Sequence, residues 1–465
     1  MSVSRLLTSI NTLWVLIALL VPFLVAATNP LQDDIWWTLK LGELLAAGRD
    51  LRQEVLTFPP HAEGYVNAQW LTQLWYHAVH QLLGLEGIPL VNALQVTAAF
   101  ALVLDLARRR SGDIRVAALC SMAGAVIAAT NFNPRAQTLA ILFFAATAWL
   151  LQTPGRPGPR LTALAVVAAL WANVHGSFWL GPALAVLLLT HRRTCFLALA
   201  VFVQCIGTLV NPNGVDIYRY VIAVVANPVV RGAITEWQPP TLADVSGAAF
   251  YCSLLATTVL VLRSRRRLEA LTLLFFAALG LIAVRNIAWW GIVAAPVWAS
   301  YVTVPQRRPS SGRPGLNIAL VSAMLMFALF SIPWSKGLNP LLPASRRALV
   351  SPDLPEGAAG YLATEGPGGH VFSFQPWGGY LEWRLWPRHQ LLVDGRIELR
   401  PSEVWEDYAR ISAGDATWQR RLENHEIQVL VLNIDAQPTL ISAVRESPAW
   451  ASIYGDSIAV IYVKR

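Results

Sequence analysis

Two adjacent carboxylates, Asp33 and Asp34, follow the first long apolar run of the chain and precede two adjacent tryptophans in the stretch NPLQDDIWWTLKLGELLAAG. A carboxylate held at a fixed depth can take a proton from a hydroxyl as a general base, and a pair of carboxylates can hold a divalent cation such as Mg or Mn. Further polar groups stand at the ends of later apolar runs: Asn133, Arg135 and Gln137; Asn173 and His175; Asn211 and Asn213; Glu236 and Trp237; Arg285 and Asn286. Arginine grips a phosphate through parallel charge-assisted hydrogen bonds, so Arg135 and Arg285 are candidates for holding an anion. His175, between two apolar runs and followed by Gly176, reads equally as a structural hydrogen-bonded imidazole or as a substrate ligand.

The elements that must position these groups are membrane helices. Of the residues 55% are hydrophobic and 14% charged, and hydropathy marks about eleven runs near the length a bilayer requires. They cover roughly 9–28, 87–107, 114–132, 135–152, 161–174, 177–190, 194–210, 246–263, 268–284, 286–303 and 316–333. The net charge of +8 is not a nucleic-acid signature, because the arginines sit in short clusters between the runs, at 108–110, 156–160, 192–193, 263–267 and 307–313. With a cytoplasmic N-terminus, every one of those clusters falls on the cytoplasmic side. The first run reads as a retained helix rather than a cleaved leader. Cys120, Cys195, Cys205 and Cys252 form no disulfide or zinc pattern and read as small apolar side chains.

Three regions of the opposite, outer face are too long for simple connections: 29–86, 211–245 and everything from 334 onward. In the first, AQWLTQLWYHAVHQLLG carries aromatics along an apolar stripe and reads as a helix lying in the interface. After residue 334 the composition changes. HVFSF, QLLVDG, IQVLVLN and SIAVIYV suit strands and SEVWEDYARIS suits a helix, giving a small extracytoplasmic α/β domain over 334–465 beside a transmembrane domain over 1–333. Within it, VDGRIEL reads as a strand ending in a turn with exposed charge, and WGGYLEW as a packed turn under an aromatic cluster. No GxGxxG, P-loop or HExxH motif occurs, which argues against nucleotide-driven chemistry.

On this topology the polar groups reach one membrane depth. Ionisable groups at the edge of hydrocarbon are costly unless partnered and mark function by default. A lipid-linked phosphate or diphosphate lies at that depth, where Arg135 and Arg285 would hold it, a carboxylate such as Asp34 would deprotonate an acceptor hydroxyl, and paired carboxylates would alternatively hold a divalent metal. Arg285 reads as a phosphate ligand or as half of a structural salt bridge, with Glu236 the nearest candidate partner. Trp36 and Trp37 fit an interfacial belt, and either could stack on a sugar ring.

Taken in order, DDIWWTLKLGELLAAG, NAQWLTQLWYHAV, NPRAQTLAILFF, LWANVHGSFWLG, LVNPNGVDIYRYV, EWQPP, RNIAWW and WGGYLEWRLWPRHQLLVDGR resemble a bacterial group within the GT-C superfamily of membrane glycosyltransferases, related to protein O-mannosyltransferases and aminoarabinose transferases. The resemblance runs from about residue 29 to about residue 410. It implies a polytopic α-helical fold in the bacterial inner membrane, a polyprenyl-phosphate-linked sugar donor, a glycan, lipid or protein acceptor in the periplasm or at the cell surface, and inversion at the anomeric carbon. It also implies that Asp34 is the catalytic carboxylate, with Asp33 second. Where the group carries an Asp later in the same loop, this chain has Glu54, and Gln69 and Gln73 stand where an acid is common; these departures weigh against a metal-dependent form with two carboxylates. The candidate site is therefore Asp34 and Asp33, with Arg285, Arg135, His175, Glu236, Asn133, Trp37 and Glu54 around the substrate. Two other readings stay open at this point: a lipid-linked sugar flippase, and a scaffold that keeps the fold without the chemistry.

Overall fold

The computed structural model describes residues 10–32, 34–50, 52–59, 65–263, 269–302 and 313–465, with the side chains of His191 and Ala233 excepted. They form two compact units, one of residues 1–30, 79–217 and 234–349, the other of residues 31–78, 218–233 and 350–465. The grouping does not follow chain order. Most of the long first loop belongs to the same unit as the C-terminal segment.

The first unit is helical. Each of the eleven apolar runs forms a helix: Ile10–Thr28, the C-terminal part of Trp70–Ser111, Ile114–Ala128, Ala136–Gln152, Pro157–Ala172, Leu180–Arg192, Cys195–Thr208, Val245–Arg263, Ala270–Ile282, Ile287–Tyr301 and Pro314–Leu329. Among the described residues four helical stretches, Ile10–Thr28, Trp70–Ser111, Ile114–Asn131 and Val245–Arg263, are long and apolar enough to cross a membrane, and five further apolar helices are shorter. Trp70–Ser111 is two helices that meet at a kink at Gly84, whose φ of 70° and ψ of −172° are non-helical and open to a residue without a Cβ; AQWLTQLWYHAVHQLLG forms the helix before the kink and the next apolar run the helix after it.

Between lipid-like surfaces, helices associate through close backbone approach and buried hydrogen bonds rather than through hydrophobic contrast. Gly124 and Gly291 meet face to face, so closely that a Cβ on either would lie 2.5 Å from the carbonyl oxygen of the other. The indole nitrogens of Trp290 and Trp298 donate to Ser253 and Thr257 across the helix pair Val245–Arg263 and Ile287–Tyr301, at 2.8 and 2.7 Å. Such interhelical bonds contribute about 0.6 kcal/mol each. Phe144 gathers Trp171, Phe276 and Trp289 into an aromatic core, with centroids at 6.1, 5.4 and 5.3 Å.

The second unit is built on a five-stranded sheet, β1 (Gly369–Ser373), β2 (His389–Leu391), β3 (Ile427–Asn433), β4 (Trp450–Gly455) and β5 (Ala459–Lys464), in the order β2-β1-β3-β5-β4. β1 is parallel to both of its neighbours, pairing Val371 with Leu391 and Val429, while β3–β5 and β4–β5 are antiparallel. The continuous apolar run of β3 matches its central, doubly covered place. The first loop is stitched into this unit by bridges Leu31–Val350 and Thr57–Leu391. WGGYLEW is not a turn: it enters through a 3-10 turn and forms the helix Gly378–Leu385. That helix packs on the helix Ile35–Ala46 through Trp36, whose ring lies 5.0 Å from Tyr380 and 4.8 Å from Trp383.

Candidate functional site

In the helical unit the polar ends of four segments form one cluster. Arg135 is the N-cap of Ala136–Gln152, directly after Pro134, with an extended backbone. Its guanidinium pairs with Glu236 and contacts Asn131 at 3.5 Å. Gln137 ties the cluster to the next segment by donating to Asn131 Oδ1 at 3.0 Å and to the Arg285 carbonyl at 2.8 Å. Arg285 lies over the Trp237 ring, 4.8 Å from its centroid, with Nη2 3.4 Å from His175 Nε2. Burial raises the Glu236 carboxyl, but the Arg135 and Arg285 charges outweigh that effect and leave it below the ordinary carboxylate range. Asn133 lies beside this cluster in sequence and accepts a hydrogen bond from Asn29 at 2.8 Å; Asn29 in turn accepts from Arg346.

His175 is placed by its own turn. It caps the 3-10 turn Gly176–Trp179, where its Nδ1 accepts from the Ser177 backbone N–H at 3.1 Å and stands 2.8 Å from the Ser177 hydroxyl. That hydroxyl already accepts from the Trp171 indole at 3.2 Å, so its own hydrogen is directed at Nδ1. The bonding pattern assigns the proton of the neutral ring to Nε2, the nitrogen that faces Arg285. Burial, reinforced by the Arg285 and Arg135 charges, holds the ring neutral, well below the usual imidazole range. An imidazole N–H and a guanidinium N–H side by side are an arrangement suited to an oxyanion.

The second unit carries Asp34. It precedes the first turn of Ile35–Ala46, and its Oδ1 accepts from the Trp37 indole at 3.1 Å. Gly395 approaches the same oxygen: a Cβ there would stand 3.2 Å from Oδ1. The next residue, Arg396, places its guanidinium over the Trp37 ring, 5.7 Å from the centroid. Three carboxylates surround its buried guanidinium. Asp394 takes two of its N–H groups and also accepts its backbone N–H at 2.7 Å; Glu54 and Glu382 lie 3.0 and 3.6 Å away. Glu54 is committed further, accepting from the backbone of Leu56 at 2.8 Å and from the Thr57 hydroxyl at 2.6 Å. Burial, and then the neighbouring Asp394 charge, raise the Glu382 carboxyl well above the ordinary carboxylate range, which favours its neutral form.

The sequence reading is corrected here in three ways. VDGRIEL is not an exposed charged turn, since Asp394 and Arg396 are 3% and 5% exposed. Trp36 and Trp37 form no open belt; both are buried, one in an aromatic cluster and the other between Asp34 and Arg396. Glu236 pairs with Arg135, where the sequence suggested Arg285. Asp33 lies outside the described residues. Among the described residues no group of three or more His, Cys, Asp or Glu side chains is placed to hold a metal ion. The residues that sequence reasoning missed are Asp394, Gly395, Arg396 and Glu382 as neighbours of the Asp34 helix. Only the short spacing of opposite charges in VDGR hinted at them.

Comparison with protein-family models and with curated proteins yields no match. Solved structures do match over nearly the whole chain. The archaeal oligosaccharyltransferase AglB from Archaeoglobus fulgidus, solved with an inhibitory peptide and a dolichol-phosphate, superposes with a TM-score of 0.59 at 10% identity, covering 98% of this chain and 74% of its own. ArnT from Cupriavidus metallidurans bound to undecaprenyl phosphate gives a TM-score of 0.54 at 15% identity, covering 97% of each chain. The mycobacterial arabinofuranosyltransferase AftD gives 0.52 at 15% identity, with 98% of this chain matching 40% of that one. These neighbours are GT-C glycosyltransferases, and the resemblance carried by the sequence motifs is borne out in the fold: the chain is a membrane protein with a GT-C fold.

Proposed function

We propose that the protein is a glycosyltransferase of the bacterial inner membrane that moves a sugar from a polyprenyl-phosphate or diphosphate donor to a periplasmic or cell-surface acceptor. The observation that carries this reading is the Arg135–Glu236 and His175–Arg285 cluster, in which two arginines and a neutral imidazole present N–H donors on a fold whose neighbours were solved with dolichol-phosphate and undecaprenyl phosphate. In this reading Arg285, Arg135 and His175 hold the donor phosphate, Glu236 fixes Arg135, and Asn133 supports the adjoining loop. Asp34, assisted by Asp33, takes the proton of the acceptor hydroxyl. The acceptor oxygen bonds to the anomeric carbon, the bond from that carbon to the phosphate oxygen breaks, and the electron pair leaves with the phosphate, whose charge the arginines stabilise. Trp37 and Glu54 act at one remove, Trp37 on Asp34 and Glu54 on Arg396.

The test is turnover by the full chain in liposomes, supplied with a panel of radiolabelled polyprenyl-phosphate sugars and scored for donor consumed. Release of sugar from one donor identifies the substrate. Movement of the intact donor between leaflets without bond cleavage identifies a flippase instead, and neither result across the panel identifies a scaffold.

A further inference from the structure

A cavity of about 450 Å³ opens in the helical unit at the arginine-rich ends of three segments, lined by Leu106, Arg109, Arg110, Gln152, Pro154 and Arg192. Three of those six residues are cationic and none is a carboxylate. The acids nearby are already engaged from outside the lining. Asp105 pairs with Arg109 at 2.6 Å and also accepts from the Trp149 indole at 2.8 Å, while Glu269 is shared between Arg110 at 3.0 Å and Arg192 at 4.0 Å. Two carboxylates facing three guanidiniums leave the cavity positive, and Arg192, held only at 4.0 Å, is the guanidinium least committed to a protein partner. Of the other three lining residues, Gln152 accepts from Arg110, while Leu106 and Pro154 are apolar.

We propose that this cavity is a binding site for a phosphate-bearing anion, occupied by the headgroup of an anionic phospholipid. A basic recess at the end of membrane helices is the chemistry that recognises such headgroups: the guanidiniums take the phosphodiester oxygens in pairs, and the apolar wall accepts the start of the acyl chains. A neutral zwitterionic lipid brings its own cation to the site and gains less. The site is separate from the His175–Arg285 cluster, and its test does not depend on the transferase reading.

The test is native mass spectrometry of the delipidated protein in detergent, titrated with phosphatidylglycerol or phosphatidylcholine, with and without inorganic phosphate. Wild type is expected to retain phosphatidylglycerol preferentially. Arg192→Gln, and Arg109→Gln with Arg192→Gln, are expected to lose that preference by about tenfold or more, while Arg263→Gln at another helix end keeps it. Because Arg192 is 37% exposed at its side chain, its variant tests the site even if the double variant fails to fold. Equal retention of the two lipids by wild type, or an undiminished preference in Arg192→Gln, overturns the proposal. Binding of inorganic phosphate that phosphatidylglycerol does not displace overturns the lipid as occupant.

Discussion

The Trp37 indole N–H donates to Asp34 Oδ1 at 3.1 Å, and the same ring lies under the Arg396 guanidinium, 5.7 Å from its centroid. The carboxylate proposed as the base is therefore held by a residue that is itself held. The hydrogen bond helps to orient Asp34, and the cation–π contact helps to hold the donor of that bond.

Trp37→Phe keeps the ring and removes only the N–H. Turnover is expected to fall about tenfold to a hundredfold, the range set by one hydrogen bond to a charged group, with the donor KM unchanged. Steady-state kinetics on both variables checks it. A rise in donor KM with unchanged kcat would place Trp37 against the donor instead.

The carboxylates around Arg396 are expected to respond unequally. Arg396→Met leaves Glu54 and Asp394 buried without their cation, and thermal unfolding should show a loss of about 3–5 kcal/mol. Glu382→Gln should be tolerated within about 1 kcal/mol, because burial and Asp394 favour the neutral form of Glu382 and an amide has the same shape. A folded pKa raised above the unfolded one adds stability that is present in acid and lost as pH rises above the ordinary carboxylate value. Glu382→Gln should remove that part of the decline.

His175 has the opposite sign. Its folded pKa is depressed, so below the ordinary imidazole value, about 6.5, the unfolded chain takes up a proton that the folded chain refuses. Stability in detergent should therefore fall by up to about 1.4 kcal/mol per pH unit below that value. His175→Gln should flatten the slope, as read from unfolding midpoints between about pH 8 and 5. An unchanged slope would mean that the ring is protonated in the folded state.

Much of the architecture was legible because hydropathy and charge placement act locally. All eleven apolar runs form helices, and β1, β3 and β5 lie where the strand-like runs stand. β4 escaped because WASIYG alternates weakly along a half-exposed edge strand. The break at Gly84 was legible too, because AQWLTQLWYHAVHQLLG ends at the glycine where Trp70–Ser111 kinks. The Arg396 network was illegible for a different reason. Glu54 and Arg396 are 342 residues apart, and burial of a charge depends on partners that the local sequence does not display. His175 and Arg285 were each visible as polar residues between apolar runs. Their separation of 110 residues hid the contact, and the tautomer followed only from Ser177 and Trp171.

The most direct test of the central claim separates donor binding from donor turnover in Asp34→Asn and Arg285→Ala, measured side by side with the donor that wild type consumes. Asp34→Asn is expected to bind that donor as wild type does and to turn over at least about a hundredfold more slowly. Arg285→Ala is expected to weaken donor binding about tenfold to a hundredfold. Wild-type turnover by Asp34→Asn, or undiminished donor affinity in Arg285→Ala, would contradict the assignment of base and phosphate ligand.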